Sequence, residues 1–185
     1  MNAGGATRAR VGISACLLGQ RVRYDGGHKR SPRITGTLGR IFEWVPVCPE
    51  VELGLGVPRE TLRLEARGRS QRLVFSDSRK DITSRMNAWS HDRLDLLERL
   101  DLCGYILKSG SPSCGQRGVK LFRTGRSGPP ARRGVGLFAR ALVKRFPQLP
   151  MEEEGRLQDK AARDRFVARV LAYRRRRDRR PRARA

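Results

Sequence analysis

The sequence predicts an α/β fold: a three-layer, mainly parallel sheet flanked by helices, Rossmann-like, with a peripheral β-hairpin and C-terminal helices. Apolar runs at residues 11–15, 42–47 and 102–107 have the length and composition of buried strands. Segments with helical periodicity lie between or after these runs, as expected when parallel strands are joined by helices. At 185 residues the chain suits one domain with a short extension.

The strand predictions rest on short patterns in the first two thirds of the chain. The first run enters a loop rich in glycine, and residues 33–40 then favour a short helix before the second run. Pro46 interrupts the second run because it has no N–H for a sheet ladder. Residues 61–65 and 72–75 alternate apolar and polar side chains, which predicts the hairpin.

Three helices are predicted from periodicity and capping residues. Asp81 or Thr83 caps a helix that ends near Leu100, residues 136–146 form a second, and Asp159 caps a third over residues 160–173. The Gly/Pro/Arg-rich residues 125–134 predict an exposed loop, and Glu152, Glu153 and Glu154 a solvated helix start. We therefore divide the chain into an α/β domain (11–146), a helical extension (147–173) and a basic, disordered tail (174–185).

The charge distribution is strongly basic and uneven. The net charge is +23, and residues 174–185 contain eight Arg and one Asp. Such a surface is either simply solvated or an electrostatic footprint for RNA or another polyanion. No apolar stretch is long enough to cross a membrane, and the N-terminus lacks the apolar core of a signal peptide. We expect a cytoplasmic protein.

Four cysteines in a reducing compartment are poor candidates for disulfides. They include no CxxC pair, which argues against a zinc ribbon. Cys16, Cys48 and Cys114 each come after a predicted strand, so parallel strands would bring their sulfurs to one edge of the sheet. Cys103 sits at the start of the third predicted strand, so it should lie near the opposite end of the sheet. The spacing alone leaves open that all four are small buried apolar residues.

Three ordered motifs resemble a bacterial family. Ile13-Ser14-Ala15-Cys16, Val45-Pro46-Val47-Cys48-Pro49-Glu50 and Ser111-Pro112-Ser113-Cys114-Gly115 are similar to the signatures of the thiouracil desulfidase-like family, formerly a domain of unknown function. The resemblance is strong over residues 11–121. Residues after 134 are similar to a longer branch in which a second domain usually follows, and we expect that domain to be missing here.

The resemblance implies that Cys16, Cys48 and Cys114 bind a [4Fe-4S] cluster with one open iron, and that Cys103 is structural. It also implies a desulfurase acting on a thiolated nucleobase or similar heterocycle, as in conversion of 2-thiouracil to uracil. The substrate sulfur would bind the open iron, Glu50 would move protons, and Ser111 would orient water or substrate. The residue-based alternatives are an Arg59 partner for Glu50 and a turn-forming role for Ser111.

Three further polar residues are weaker site candidates, and two other functions stay open. Asp25 and His28 follow the first cysteine in a glycine-rich loop, and Lys108 ends the third strand, so each can equally be a surface residue. The main alternative to the enzyme is a redox-sensing or RNA-binding regulatory module that uses the cluster and the basic surface. The other is a structural zinc protein.

Overall fold

The computed structural model describes residues 8–68, 70–124 and 128–179. Within these ranges the chain forms two four-stranded sheets and four α-helices. The strands are β1 (Ala9–Ser14), β2 (Phe42–Val47), β3 (Leu62–Arg67), β4 (Ser70–Phe75), β5 (Gly104–Leu107), β6 (Val119–Arg123), β7 (Ala131–Gly134) and β8 (Met151–Glu153). The helices are α1 (Pro49–Glu52), α2 (Thr83–Arg99), α3 (Leu137–Arg145) and α4 (Lys160–Asp178).

The first sheet has the order β2-β1-β5-β8, and all of its neighbouring strands are parallel. Its two central strands are apolar on both faces, which is why they appear as continuous apolar runs in the sequence. Helix α4 covers one face, where Phe166 and Val170 contact Gly104 closely enough to exclude any side chain there. Helices α2 and α3 contribute to the core on the other face. The predicted fold class is confirmed.

The predicted hairpin is β3 and β4, which pair as antiparallel strands. It is part of a second sheet with the order β4-β3-β6-β7, whose last two strands the sequence analysis missed. The prediction of an exposed loop is therefore wrong for residues 131–134, whereas residues 125–127 lie outside the described ranges. Strand β7 is an edge strand with three exposed residues, so it has no apolar alternation to detect.

Residues 151–154 also differ from the prediction. Glu152 and Glu153 are buried in β8, which pairs with β5, so the expected solvated helix start is wrong. The carboxylates tolerate burial because they have local partners, among them Arg156 at 3.4 Å from Glu152. The proposed domain boundary after residue 146 falls between α3 and β8, and β8 belongs to the first sheet.

Helix α4 starts as predicted, because the Asp159 side chain accepts a hydrogen bond from the backbone N–H of Ala162 at 2.8 Å. It is longer than expected and reaches Asp178, five residues into the segment assigned to a disordered tail. Arginine is a good helix former and is favourable near a helix C-terminus. Residues 180–185 lie outside the described ranges. None of the helices in the described residues has the length and apolar character needed to cross a membrane.

Candidate functional site

The three motif cysteines meet at the carboxyl edge of the first sheet. Cys16 lies in a short helical turn directly after β1, Cys48 lies between β2 and α1, and Cys114 lies in the loop after β5. All three line one cavity of about 310 Å³, called the cysteine cavity below. Cys103 lies before β5 at the opposite end of the sheet, where its backbone N–H donates to the carbonyl of Arg10.

The backbone around each cysteine is fixed by hydrogen bonds. The carbonyl of Cys16 accepts from the N–H of Lys29 at 2.9 Å, which folds the following loop back onto the first turn. The N–H of Cys48 donates to the Glu52 carboxylate at 2.9 Å, so the side chain of α1 satisfies the amide that precedes the helix. Glu52 is held in turn by Arg93 of α2, with 2.9 Å between Oε2 and Nε.

The loop carrying Cys114 is held from both sides. The Ser111 hydroxyl oxygen accepts from the N–H groups of Ser113 at 3.2 Å and Cys114 at 3.1 Å. On the other side, the Glu153 carboxylate of β8 accepts from the N–H groups of Gln116 at 2.8 Å and Arg117 at 3.3 Å. Ser111 therefore has the turn-forming role that was left open, and it also lines the cysteine cavity.

Burial makes the three thiols weaker acids than an exposed cysteine. It raises the pKa of Cys16 to about 11, with the neighbouring Cys48 sulfur adding to the effect while Lys108 and Arg23 oppose it. Burial likewise raises the pKa of Cys48, and it raises the pKa of Cys114 well above its usual range, partly offset by a hydrogen bond with Ser14. The Cys48 and Cys16 sulfurs also add to the raised pKa of Cys114. Binding of a metal would displace their protons.

Glu50 is an acidic residue that lines the cysteine cavity. Its Oε2 accepts from Nη2 of Arg59 at 2.7 Å and from Nε at 3.0 Å, and its Oε1 accepts from the Ser113 hydroxyl at 2.9 Å. The Arg59 side chain is only 4% exposed. The ion pair with Arg59, which the sequence analysis gave as an alternative role for Glu50, therefore exists. It holds the Glu50 carboxylate at the cavity wall.

A second charged group lies beside the end of β5. Nζ of Lys108 donates to Oε1 of Glu154 at 2.5 Å, and the N–H of Ser109 donates to Oε2 of the same carboxylate at 2.6 Å. Lys108 and Ser109 line the cysteine cavity. Asp25 and His28 do not line it: Asp25 pairs with Arg23, His28 accepts from the Arg30 amide, and both are exposed.

Five residues were predicted from the sequence as site residues, and all five line the cysteine cavity: Cys16, Cys48, Cys114, Glu50 and Ser111. The sequence analysis missed Ser113, which holds Glu50, and the carboxylates of Glu153 and Glu154. The run of three glutamates was a detectable signal, but their partners are 36 to 46 residues away in the chain. Sequence proximity therefore could not identify them.

Thiols are the ligand type that iron–sulfur clusters use. Among the residues that the structure describes, no three His, Cys, Asp or Glu side chains are arranged to hold a single metal ion. This gives no support to the zinc alternative. The cysteines of an iron–sulfur cluster bind different iron atoms, so they must stand farther apart than the ligands of one zinc. The three thiols line one cavity of about 310 Å³.

A family model described as 2-thiouracil desulfurase matches residues 11–154. The chain belongs to the 2-thiouracil desulfurase family. The match includes all three cysteine motifs and ends at Glu154, so the predicted family is confirmed and, with it, an enzyme class. The uncharacterized protein YbbK of Bacillus subtilis (strain 168) is 29% identical over 108 residues, which are 56% of this chain and 71% of that protein.

The chain is also similar to a solved structure. It is a [4Fe-4S]-dependent thiouracil desulfidase, TudS, with a TM-score of 0.63 and 31% sequence identity. The similarity covers 83% of this chain and 96% of that protein.

Proposed function

We propose that the protein is a [4Fe-4S]-dependent desulfurase that removes sulfur from a thiolated nucleobase or a similar thio-heterocycle. For 2-thiouracil the reaction is hydrolytic: the oxygen of water replaces sulfur on the carbon, the C–S bond breaks, and sulfide leaves with the two protons of water. No external electron donor or acceptor is needed. The observation that carries the proposal is the placement of Cys16, Cys48, Cys114 and Glu50 around one cavity in a chain of this family.

The three cysteines are the proposed cluster ligands. Their thiols share one cavity, and Cys103 is excluded because it lies at the other end of the sheet. A [4Fe-4S] cluster held by these three cysteines would have one iron without a protein ligand, and that iron would supply a Lewis acid for the substrate sulfur.

Glu50 is the proposed proton-transfer group. The hydrogen bonds from Arg59 and Ser113 fix its carboxylate in one orientation at the cavity, as a general base requires. It would take a proton from the attacking water and return one to the departing sulfur. The Ser111 oxygen already accepts two backbone hydrogen bonds, so the proton of its hydroxyl remains to be donated to water or substrate.

Cationic side chains at the cavity favour an anionic ligand. Arg23, Lys29 and Lys108 all line it together with the ring of Tyr24. Arg23 also lies over the face of that ring, 5.2 Å from its centre, which orients both side chains at the cavity mouth. A flat heterocycle that carries negative charge on sulfur or nitrogen would be attracted by such a rim, and hydrosulfide would be stabilised before release.

The proposed function is tested by turnover of 2-thiouracil. Protein reconstituted anaerobically with iron and sulfide, then desalted, should form uracil and sulfide in equal amounts over many turnovers. The same protein without iron is the control, because it separates catalysis from slow spontaneous hydrolysis. A loaded protein that yields no uracil from 2-thiouracil, and no desulfurised product from other thiolated pyrimidines, contradicts the proposal.

A second activity, RNA binding, is favoured by an arginine-lined groove at the far end of the sheet. The groove has a volume of about 400 Å³, and each of its charged lining residues, all within the described chain, is an arginine. Pro150 borders it, and the carbonyl of Pro150 accepts from the N–H of Tyr105 at the start of β5. The groove residues are Gln148, Pro150, Arg169, Ala172, Arg175, Arg176 and Arg179.

We expect replacement of the four groove arginines by glutamine to weaken binding of single-stranded RNA by at least about tenfold at moderate salt. The slope of log affinity against log salt should fall by about 0.7 for each lost phosphate contact. The charge-matched control replaces the exposed Arg67, Arg99, Arg132 and Arg133. Fluorescence anisotropy across a salt series measures both quantities. Equal losses in the two variants would mean that only net charge matters and that the groove is no binding site.

A further inference from the structure

One aromatic ring lines the cysteine cavity. Among the described residues that border this cavity, Tyr24 alone has an aromatic side chain. It is 41% exposed, and of the large exposed hydrophobic side chains in the described ranges it is the only one that reaches the cavity. A single exposed hydrophobic side chain elsewhere needs no explanation, whereas an aromatic one at the mouth of a binding site is a candidate ligand contact.

The backbone at Tyr24 is attached to the site itself. Its carbonyl accepts from the N–H of Arg59 at 2.9 Å, and the carbonyl of Val22 accepts from Nη2 of the same arginine, also at 2.9 Å. Arg59 is the residue that holds the Glu50 carboxylate. The Val22 carbonyl also accepts from the Cys48 thiol at 3.8 Å. These hydrogen bonds place Tyr24 relative to both Glu50 and Cys48.

The turn that follows Tyr24 is closed by local hydrogen bonds. The N–H of Gly26 donates to the carbonyl of Arg23 at 3.0 Å, and the N–H of Gly27 donates to the Asp25 carboxylate, also at 3.0 Å. The same carboxylate accepts from the Arg23 guanidinium at 3.2 and 3.3 Å. Because the turn is already ordered, little backbone freedom remains to be lost when a ligand binds against it.

One face of the Tyr24 ring is occupied, and the core does not cover the ring. The Arg23 guanidinium lies over the ring, 5.2 Å from its centre. Tyr24 belongs to none of the three buried clusters formed by the described residues. The cation offsets the negative charge of the ring face, which favours an electron-rich or anionic heterocycle on the opposite side.

We propose that the ring of the substrate stacks on the face of Tyr24 opposite Arg23, so that Tyr24 selects thiolated aromatic heterocycles by their flat surface. This rests on the proposed function and adds to it a residue that determines which thio compounds bind. Stacking needs a flat ring and no particular pattern of hydrogen bonds, so several thiolated pyrimidines would be accepted. Tyr24 contributes to binding and not to the chemical step, because its contact is the same before and during C–S cleavage.

The test compares Tyr24→Leu with Tyr24→Phe. Leucine keeps an apolar side chain without an aromatic face, whereas phenylalanine keeps the face and loses only the hydroxyl. In reconstituted protein we expect Tyr24→Leu to raise the KM for 2-thiouracil about tenfold, a larger factor than any fall in kcat per cluster. Tyr24→Phe should bring the KM back to within about threefold of the wild type. Leu96→Ala, at a 48% exposed position outside the cavity, controls for the loss of exposed apolar surface.

Binding is measured separately by equilibrium dialysis of uracil, the product, against the reconstituted proteins. Uracil has the ring without the sulfur, so the wild type and Tyr24→Phe should bind it about tenfold more tightly than Tyr24→Leu does. Iron per chain should be equal in all of these proteins, because Tyr24 is not one of the proposed ligands.

The outcomes separate this inference from the proposed function. Equal KM and equal uracil affinity in Tyr24→Leu and the wild type would mean that no stacking takes place. A loss in Tyr24→Phe as large as that in Tyr24→Leu would assign the effect to the hydroxyl, which also contradicts stacking. A wild type that binds uracil through Tyr24 but releases no sulfide from 2-thiouracil contradicts the desulfurase alone. Normal turnover that Tyr24→Leu leaves unaffected contradicts this inference alone.

Discussion

Serine at position 16, 48 or 114 should abolish iron retention, whereas serine at position 103 should leave it intact. Each of Cys16, Cys48 and Cys114 supplies one sulfur to the cysteine cavity, and a hydroxyl is a poor ligand for iron in a sulfide cluster. We expect at least a tenfold fall in cluster-bound iron and sulfide per chain, measured after anaerobic reconstitution and desalting. Absorbance at about 400 nm, the wavelength typical of thiolate-bound iron, should fall in parallel.

Cys103→Ser is the matched control because Cys103 is as buried as Cys114 but lies at the other end of the sheet. Its Sγ lies 3.6 Å from the carbonyl oxygen of Asp101, an acceptor that a serine hydroxyl can also use. Circular dichroism should show that all four variants are folded. Full iron content in any of the three cavity variants, or loss of iron in Cys103→Ser, would contradict the assignment of the ligands.

Glu50→Gln should reduce sulfide release from 2-thiouracil by about 10²- to 10⁴-fold, the usual effect of removing a general acid–base group. Glutamine keeps the shape of the side chain and an oxygen for the Ser113 hydroxyl, but it cannot take up a proton. The cluster content should be unchanged, because Glu50 is not one of the proposed ligands. The measurement is the rate of uracil formation per cluster, so that any difference in loading is divided out.

The matched control for Glu50→Gln is Glu43→Gln. Glu43 of β2 is also paired with an arginine, Arg10 at 3.2 Å, but its side chain is 45% exposed and it does not line the cysteine cavity. We expect full activity there. Glu50→Gln should additionally lower the melting temperature, because the nearly buried Arg59 loses its counter-charge. A per-cluster rate within about threefold of the wild type would mean that Glu50 does not transfer the proton.

The sequence predicted the location of the cysteines well because the sheet is parallel. Residues that follow parallel strands meet at one edge whatever their separation in the chain, and Cys16 and Cys48 follow β1 and β2 directly. Cys114 comes seven residues after β5, and its inward position depends on the turn made by Ser111. The motif supplied the residue types of that turn, and the structure supplied its geometry.

Two of the missed strands share a physical cause. Strands β7 and β8 are short and about half or more of their residues are charged, so their pairing depends on partners distant in the chain and not on local apolar patterns. Glu153 and Glu154 belong to the site because they accept hydrogen bonds from residues 36 to 46 positions earlier. Such partners are set by the tertiary fold, which a single sequence does not reveal.

Strand β8 sets the size of the minimal catalytic unit. Glu153 holds the amides that follow Cys114, and Glu154 holds Lys108 and Ser109, so a fragment ending after α3 would release the loop that carries one of the three thiols. The family match also ends at residue 154. A truncation intended to isolate the desulfurase must therefore keep at least this strand, and the last helix that packs on the same sheet should be added for stability.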